Sequence, residues 1–151
     1  MIKKIFIIVP SANMQSPIKG AAALANGLIE FHSVTFVSLK NEPKFFALLN
    51  SKVQHLCLES SGLFIKRLFV LRQIIKDAGE RDEVVTISFC LSADFFNSFC
   101  QDVALTISSV RGNLPRVYPN NYGFLGKWIA YTHLNRLRKM RKVISMTKSM
   151  A

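Results

Sequence analysis

Few side chains in this sequence suit chemistry by type and setting, and most of them follow short apolar runs. Asp94 comes after Val84 to Phe89. Its carboxylate is suited to orienting a hydroxyl or taking its proton, as a general base does, and equally to sitting at the positive end of a helix. Ser92 stands beside it. Arg111, followed by Gly112 and Asn113, leaves another apolar run; a guanidinium there suits a phosphate or a hydroxyl, or plain solvation. Asn13 and Ser16 follow the first run, and Ser16 also reads as a helix N-cap. Cys90 reads as a small buried residue, since no histidine lies near it in sequence to activate the thiol. Cys57, Cys90, Cys100, His32, His55 and His133 are scattered without metal-ligand spacing, so no metal site is expected.

The runs that precede these residues read as strands. Ile5 to Val9, Val34 to Leu39, Val53 to Leu58, Val84 to Phe89, Val103 to Ile107 and Val143 to Met146 are short and largely apolar, as buried parallel strands are. Helical spacing separates them. Leu24, Leu28 and Phe31 mark a helix from about Pro17 to Phe31, and Asn41-Glu42-Pro43 opens a short one through Asn50. Phe64, Leu68, Leu71 and Ile75 form the inward stripe of a helix over Leu63 to Lys76. Ser92 or Asp94 caps a helix carrying Phe95, Phe96 and Phe99, and a basic helix runs from Phe124 to Arg141. Gly112, Pro115, Pro119 and Asn120-Asn121 make Ser108 to Gly123 a loop. Alternating strands and helices imply an α/β fold: one Rossmann-like domain over 1–151, with an open, mostly parallel sheet of about six strands and helices on both faces. In such sheets ligands meet the loops at the carboxyl ends of strands, which is where Asn13, Ser16, Ser92, Asp94, Arg111 and Asn113 fall.

The chain has 151 residues and a formal charge of +11. That excess favours an anionic partner. Lys66, Arg67, Phe69, Arg72 and Lys76 interleave charge with apolar surface in a way that suits an anionic membrane; Arg136, Arg138, Lys139, Arg141 and Lys142 form a second cluster. A nucleic-acid module is the competing reading, and it lacks an aromatic RNA-binding motif, a helix-turn-helix signal or a zinc pattern. A dinucleotide-dependent oxidoreductase lacks its G-x-G-x-x-G. The odd cysteine count favours a reduced, cytoplasmic setting. No stretch reaches the roughly 20 apolar residues of a membrane span, and Ile5 to Val9 is short for a signal peptide.

Several segments resemble family 4 of the glycosyltransferases, in the order that family has them. They are the lysine-led strand Lys3 to Pro10, Leu24-Ala25-Asn26-Gly27-Leu28, His32 to Val37, Ile107 to Asn113, and Val143 to Ala151. The first loop departs from the family's pattern: it carries Asn13 to Lys19 where two adjacent glycines are usual. The resemblance implies the acceptor-side half of a GT-B fold, joined to a nucleotide-sugar domain that is not in this chain. It implies transfer from a nucleotide sugar to a glycan or polyprenyl-phosphate-linked acceptor, as in cell-surface polysaccharide synthesis, at the inner face of the cell membrane. The activity would be a hexosyltransferase's, retaining, without a required metal or a cofactor in this domain. Thr147 to Ala151 reads as the start of a further helix, so the chain is expected to need a second domain or a separate donor-binding subunit, and to be inactive alone.

Overall fold

The computed structural model of the protein describes residues 1–12, 15–40 and 48–145. Six strands, β1 (Lys4–Val9), β2 (Ser33–Ser38), β3 (Gln54–Cys57), β4 (Val84–Phe89), β5 (Leu105–Val110) and β6 (Lys142–Ser145), form one sheet in the order β3-β2-β1-β4-β5-β6. Every neighbouring pair is parallel. The order reverses between β1 and β4, where the crossovers leave in opposite directions and a crevice opens at the carboxyl ends.

Helices cover both faces. On one, α1 (Ser16–Leu28) lies over Ile5, Ile7, Val9, Val34 and Phe36. Its buried residues are Ile18, Ala21, Ala22 and Ala25, whereas Leu24 is exposed and Phe31, beyond the helix, is 81% exposed. Of the spaced residues Leu24, Leu28 and Phe31, only Leu28 packs against this core; the alanine side lets the helix axis approach the sheet closely. On the other face, α2 (Phe64–Asp77) and α3 (Leu91–Asn97) pack on Phe6, Ile8, Val37 and Val84. In α2 the inward stripe holds at Leu71 and Ile75, both fully buried, but Phe64 at its start is 52% exposed.

Two helices complete the chain, α4 (Leu114–Tyr122) and α5 (Leu125–Leu137). The first corrects the expected loop over Ser108 to Gly123. Asn113 accepts a hydrogen bond from the Arg116 amide as N-cap, and Pro115 in the first turn has no hydrogen-bonding NH to lose. Pro119 sits only four residues further on, so the bond it removes is one to that first turn. Strand β5 also runs three residues beyond the expected end at Ile107. The helix expected around Asn41 to Asn50 falls mostly outside the described residues. No helix among the described residues is long and apolar enough to cross a membrane.

Candidate functional site

Side chains alternate across a strand, and β4 and β5 use one face unusually. Thr86 and Ser88 pair in register with Thr106 and Ser108, and all four are buried hydroxyls facing α3 and α5. A polar stripe under covering helices must find partners there, because an unpaired buried polar group costs about 1–3 kcal/mol. Thr106 Oγ1 accepts from the Arg141 amide at 3.3 Å, and two residues three apart on α3 supply the other three. Asn97 accepts from Thr86 Oγ1 at 2.5 Å and donates to Ser88 Oγ at 2.9 Å and to the Ile107 carbonyl at 3.0 Å. Asp94 Oδ1 accepts from Ser88 Oγ at 2.6 Å and Ser108 Oγ at 2.7 Å.

The second Asp94 oxygen meets α5. His133 Nε2 lies 2.8 Å from Oδ2, and His133 Nδ1 lies 2.7 Å from the Tyr118 hydroxyl of α4. A carboxylate only accepts, so Nε2 carries a proton. With the ring neutral, Nδ1 is then the acceptor and Tyr118 the donor. Burial, with the Asp94 charge behind it, pushes the Tyr118 phenol well above its ordinary range, which keeps the hydroxyl protonated for that role. No buried side-chain nitrogen or oxygen lacks a partner among the described residues. The chain Asp94–His133–Tyr118 thus ties the sheet to α3, α5 and α4. Nitrogen shifts of the neutral His133 ring should report the Nε2–H tautomer; an Nδ1–H signature would contradict this assignment.

Above this network, at the carboxyl ends of β4 and β5, opens a cavity of about 480 Å³. Phe89, Leu114, Val117, Tyr118 and Tyr122 give it apolar and aromatic walls; Gln15, Cys90, Arg111, Asn121 and His133 supply polar groups. Apolar walls with a few placed polar groups are the usual make-up of a small-molecule site. Arg111 leaves β5 and lies with its guanidinium carbon 5.7 Å from the Phe89 ring centre. It also rests against α1 at Gly20, where any side chain would collide with it.

The residues singled out in the sequence have separate fates. Arg111 and Asp94 line this cavity, but Asp94 is 1% exposed and both its oxygens are occupied. It therefore does not cap α3, and its carboxylate is closed off from the cavity by these partners. Ser92 faces a different groove, between α2, α3 and α5. Asn113 lines a neighbouring cavity and its side chain caps α4. Ser16 is the first residue of α1 with Gln15 as N-cap, and no side-chain cap bond forms. Asn13 lies outside the described residues.

Cys90 is exposed, not buried, with φ at +73° between β4 and α3. Burial around its sulfur, then Asp94, push its pKa up against the opposing Arg111, so the thiol stays protonated near neutral pH. His133 and Tyr118 were missed. The available signal was the spacing Gly126, Ala130, His133, Leu137, the buried side of α5, which sets a histidine among core positions.

Of the basic cluster on α2, Arg67 donates to the Gly62 and Leu39 carbonyls and Arg72 pairs with Asp102. They are tied to the protein itself. Lys66, Phe69 and Lys76 stay exposed. Across the groove of about 660 Å³ from Phe64 stand Trp128 and Arg136 of α5 and, just beyond that helix, Lys139. Among the described residues no group of three His, Cys, Asp or Glu could hold a metal ion. Compared with family models and with curated proteins, the chain matches none.

Proposed function

We propose that this chain is the acceptor-binding, N-terminal domain of a glycosyltransferase that moves a sugar from a nucleotide-sugar donor to a glycan or lipid-linked acceptor, with the donor held by a second domain or subunit. The observation that carries the reading is the cavity at the β4 and β5 exits beside the sheet's reversal point. It pairs aromatic walls, which stack on sugar rings, with Arg111 and amide side chains for ring substituents. The parallel order β3-β2-β1-β4-β5-β6 supports it further, as does the ordered sequence resemblance. In this reading the chain binds and orients the acceptor. Asp94, sealed by three donors, does not remove its proton; it holds Tyr118 in the cavity wall through His133. The test is a transfer assay with a panel of nucleotide sugars and lipid-linked acceptors. Turnover is expected once the donor-binding part is joined or added, and not from this chain alone. Absence of turnover in the completed protein across the panel overturns the reading.

The same reading sets the domain against the inner membrane surface. Phe124 is 88%, Trp128 68% and Phe69 64% exposed, and Lys66, Lys127 and Lys139 are exposed as well. From Val103 to Ala151 the sequence holds no Asp or Glu. Aromatic side chains flanked by unopposed cations suit an anionic lipid interface. Trp128 is the chain's single tryptophan, so its emission should shift to the blue on anionic vesicles, much less on neutral ones, and revert in high salt. An oligonucleotide that binds while anionic vesicles leave the emission unchanged would favour a nucleic-acid partner and sink the membrane assignment.

A further inference from the structure

The cavity's charge narrows the acceptor class. Its one carboxylate, Asp94, is occupied by Ser88, Ser108 and His133. Its one permanent cation, Arg111, is not: the ion pairs among the described residues are Lys3–Glu83, Arg72–Asp102 and His133–Asp94. The Arg111 guanidinium is nonetheless held in place. It leaves the end of β5, passes over the Phe89 ring, and settles against the backbone of α1 at Gly20, so it spans the crevice between the two halves of the sheet. Gly20 stands inside a helix, where glycine costs about 1 kcal/mol relative to alanine, and a methyl group there would strike the guanidinium. A located guanidinium without an ion-pair partner, in a cavity whose one carboxylate is already held by Ser88, Ser108 and His133, selects for a planar or tetrahedral oxyanion.

We infer that the acceptor carries an anionic group, a sugar phosphate or a sugar carboxylate, bound by Arg111 between the β5 exit and α1. This rests on the acceptor-binding reading above and adds the charge of the ligand to it. The test is calorimetry together with amide chemical shifts, using glucose 1-phosphate, glucuronate and neutral methyl glucoside as probes. Both variants, Arg111→Gln and Gly20→Ala, are run alongside. Arg111 is exposed and alanine favours the helix, so both variants are expected to fold, which a thermal melt checks.

At least one anion should bind about tenfold more tightly than methyl glucoside, a gap of the size expected for a charge-assisted hydrogen-bond set; the phosphate and carboxylate arms say which oxyanion is preferred. Arg111→Gln should erase that gap, the anion's affinity falling to that of the glucoside. Gly20→Ala should reduce it with the net charge intact. Equal affinity for charged and neutral sugars at the β4 and β5 exits overturns the anion assignment and leaves the acceptor site standing. Wild-type anion affinity in Arg111→Gln overturns it too, as binding to the basic surface of α5. No binding by any probe at those exits overturns both.

Discussion

Asp94→Ala is expected to lower the melting temperature by about 10 °C. The side chain is 1% exposed and serves three donors at once. Removing it leaves the Ser108 hydroxyl and the His133 ring without their acceptor, and Ser88 with only the Ile107 carbonyl at 3.3 Å, in a space closed to water. Breaking a buried pair from one side costs about 3–5 kcal/mol, and in a chain of this length each kcal/mol moves the midpoint by about 2–4 °C. Asp94→Asn separates charge from shape. Its amide oxygen still accepts from the serines, but its NH₂ would face His133 Nε2–H, donor against donor. The ring is then expected to change tautomer, with Nδ1–H turned toward Tyr118, whose oxygen can accept. The cost should be smaller, about 1–2 kcal/mol, and the nitrogen shifts of His133 should move with it. An Asp94→Ala protein melting within about 2 °C of the parent would mean that the network contributes little to stability.

The second large effect separates two helical glycines by sign. At Gly126, in the first turn of α5, an added Cβ would meet the Tyr118 carbonyl and the Pro119 nitrogen of α4. These are backbone atoms and cannot swing aside. Gly126→Ala must push α4 from α5 and carry Tyr118 away from His133. Overpacking of this kind costs about 1–3 kcal/mol, and the aromatic wall of the cavity should shift, weakening acceptor binding. At Gly27, in α1, nothing lies within reach of an added Cβ. There the same substitution should stabilise by up to about 1 kcal/mol through helix propensity and a less flexible unfolded chain. Thermal melts of the two variants check both directions. Similar shifts of the same sign would contradict the close α4–α5 approach.

The fold was largely legible because it depends on runs and alternation. Ile5 to Val9 is apolar throughout and Val84 to Phe89 is apolar but for Thr86 and Ser88, since both faces of β1 and β4 are covered, and few folds besides a covered parallel sheet call for such runs. Elements went astray where a rule about single residues was outweighed by context. Two prolines, Gly112 and Asn120-Asn121 read as a loop, yet Asn113 capped the segment and packing of Tyr118 against α5 made it α4. Alanines hid the inward face of α1 because small residues can bury by close approach as well as by bulk.

The candidate site was legible as a region but not as a constellation. Arg111 follows from strand-exit logic. Asp94 was found for the right place in the fold and with the wrong environment, since a carboxylate beside a helix start gives no sign that Ser88 and Ser108 will close over it. His133 is 39 residues from Asp94, and a pairing at that distance is set by how α5 crosses α3. Nothing local to either residue encodes it.

The central claim is that the β4 and β5 exits form an acceptor site, and amide chemical-shift mapping tests it most directly. Titration of the ¹⁵N-labelled chain with short glycan acceptors should give saturable shifts concentrated at Cys90, Leu91, Arg111, Gly112 and Tyr118, with the edge strand β3 unmoved. Saturable shifts centred elsewhere, or none at millimolar glycan, would contradict it.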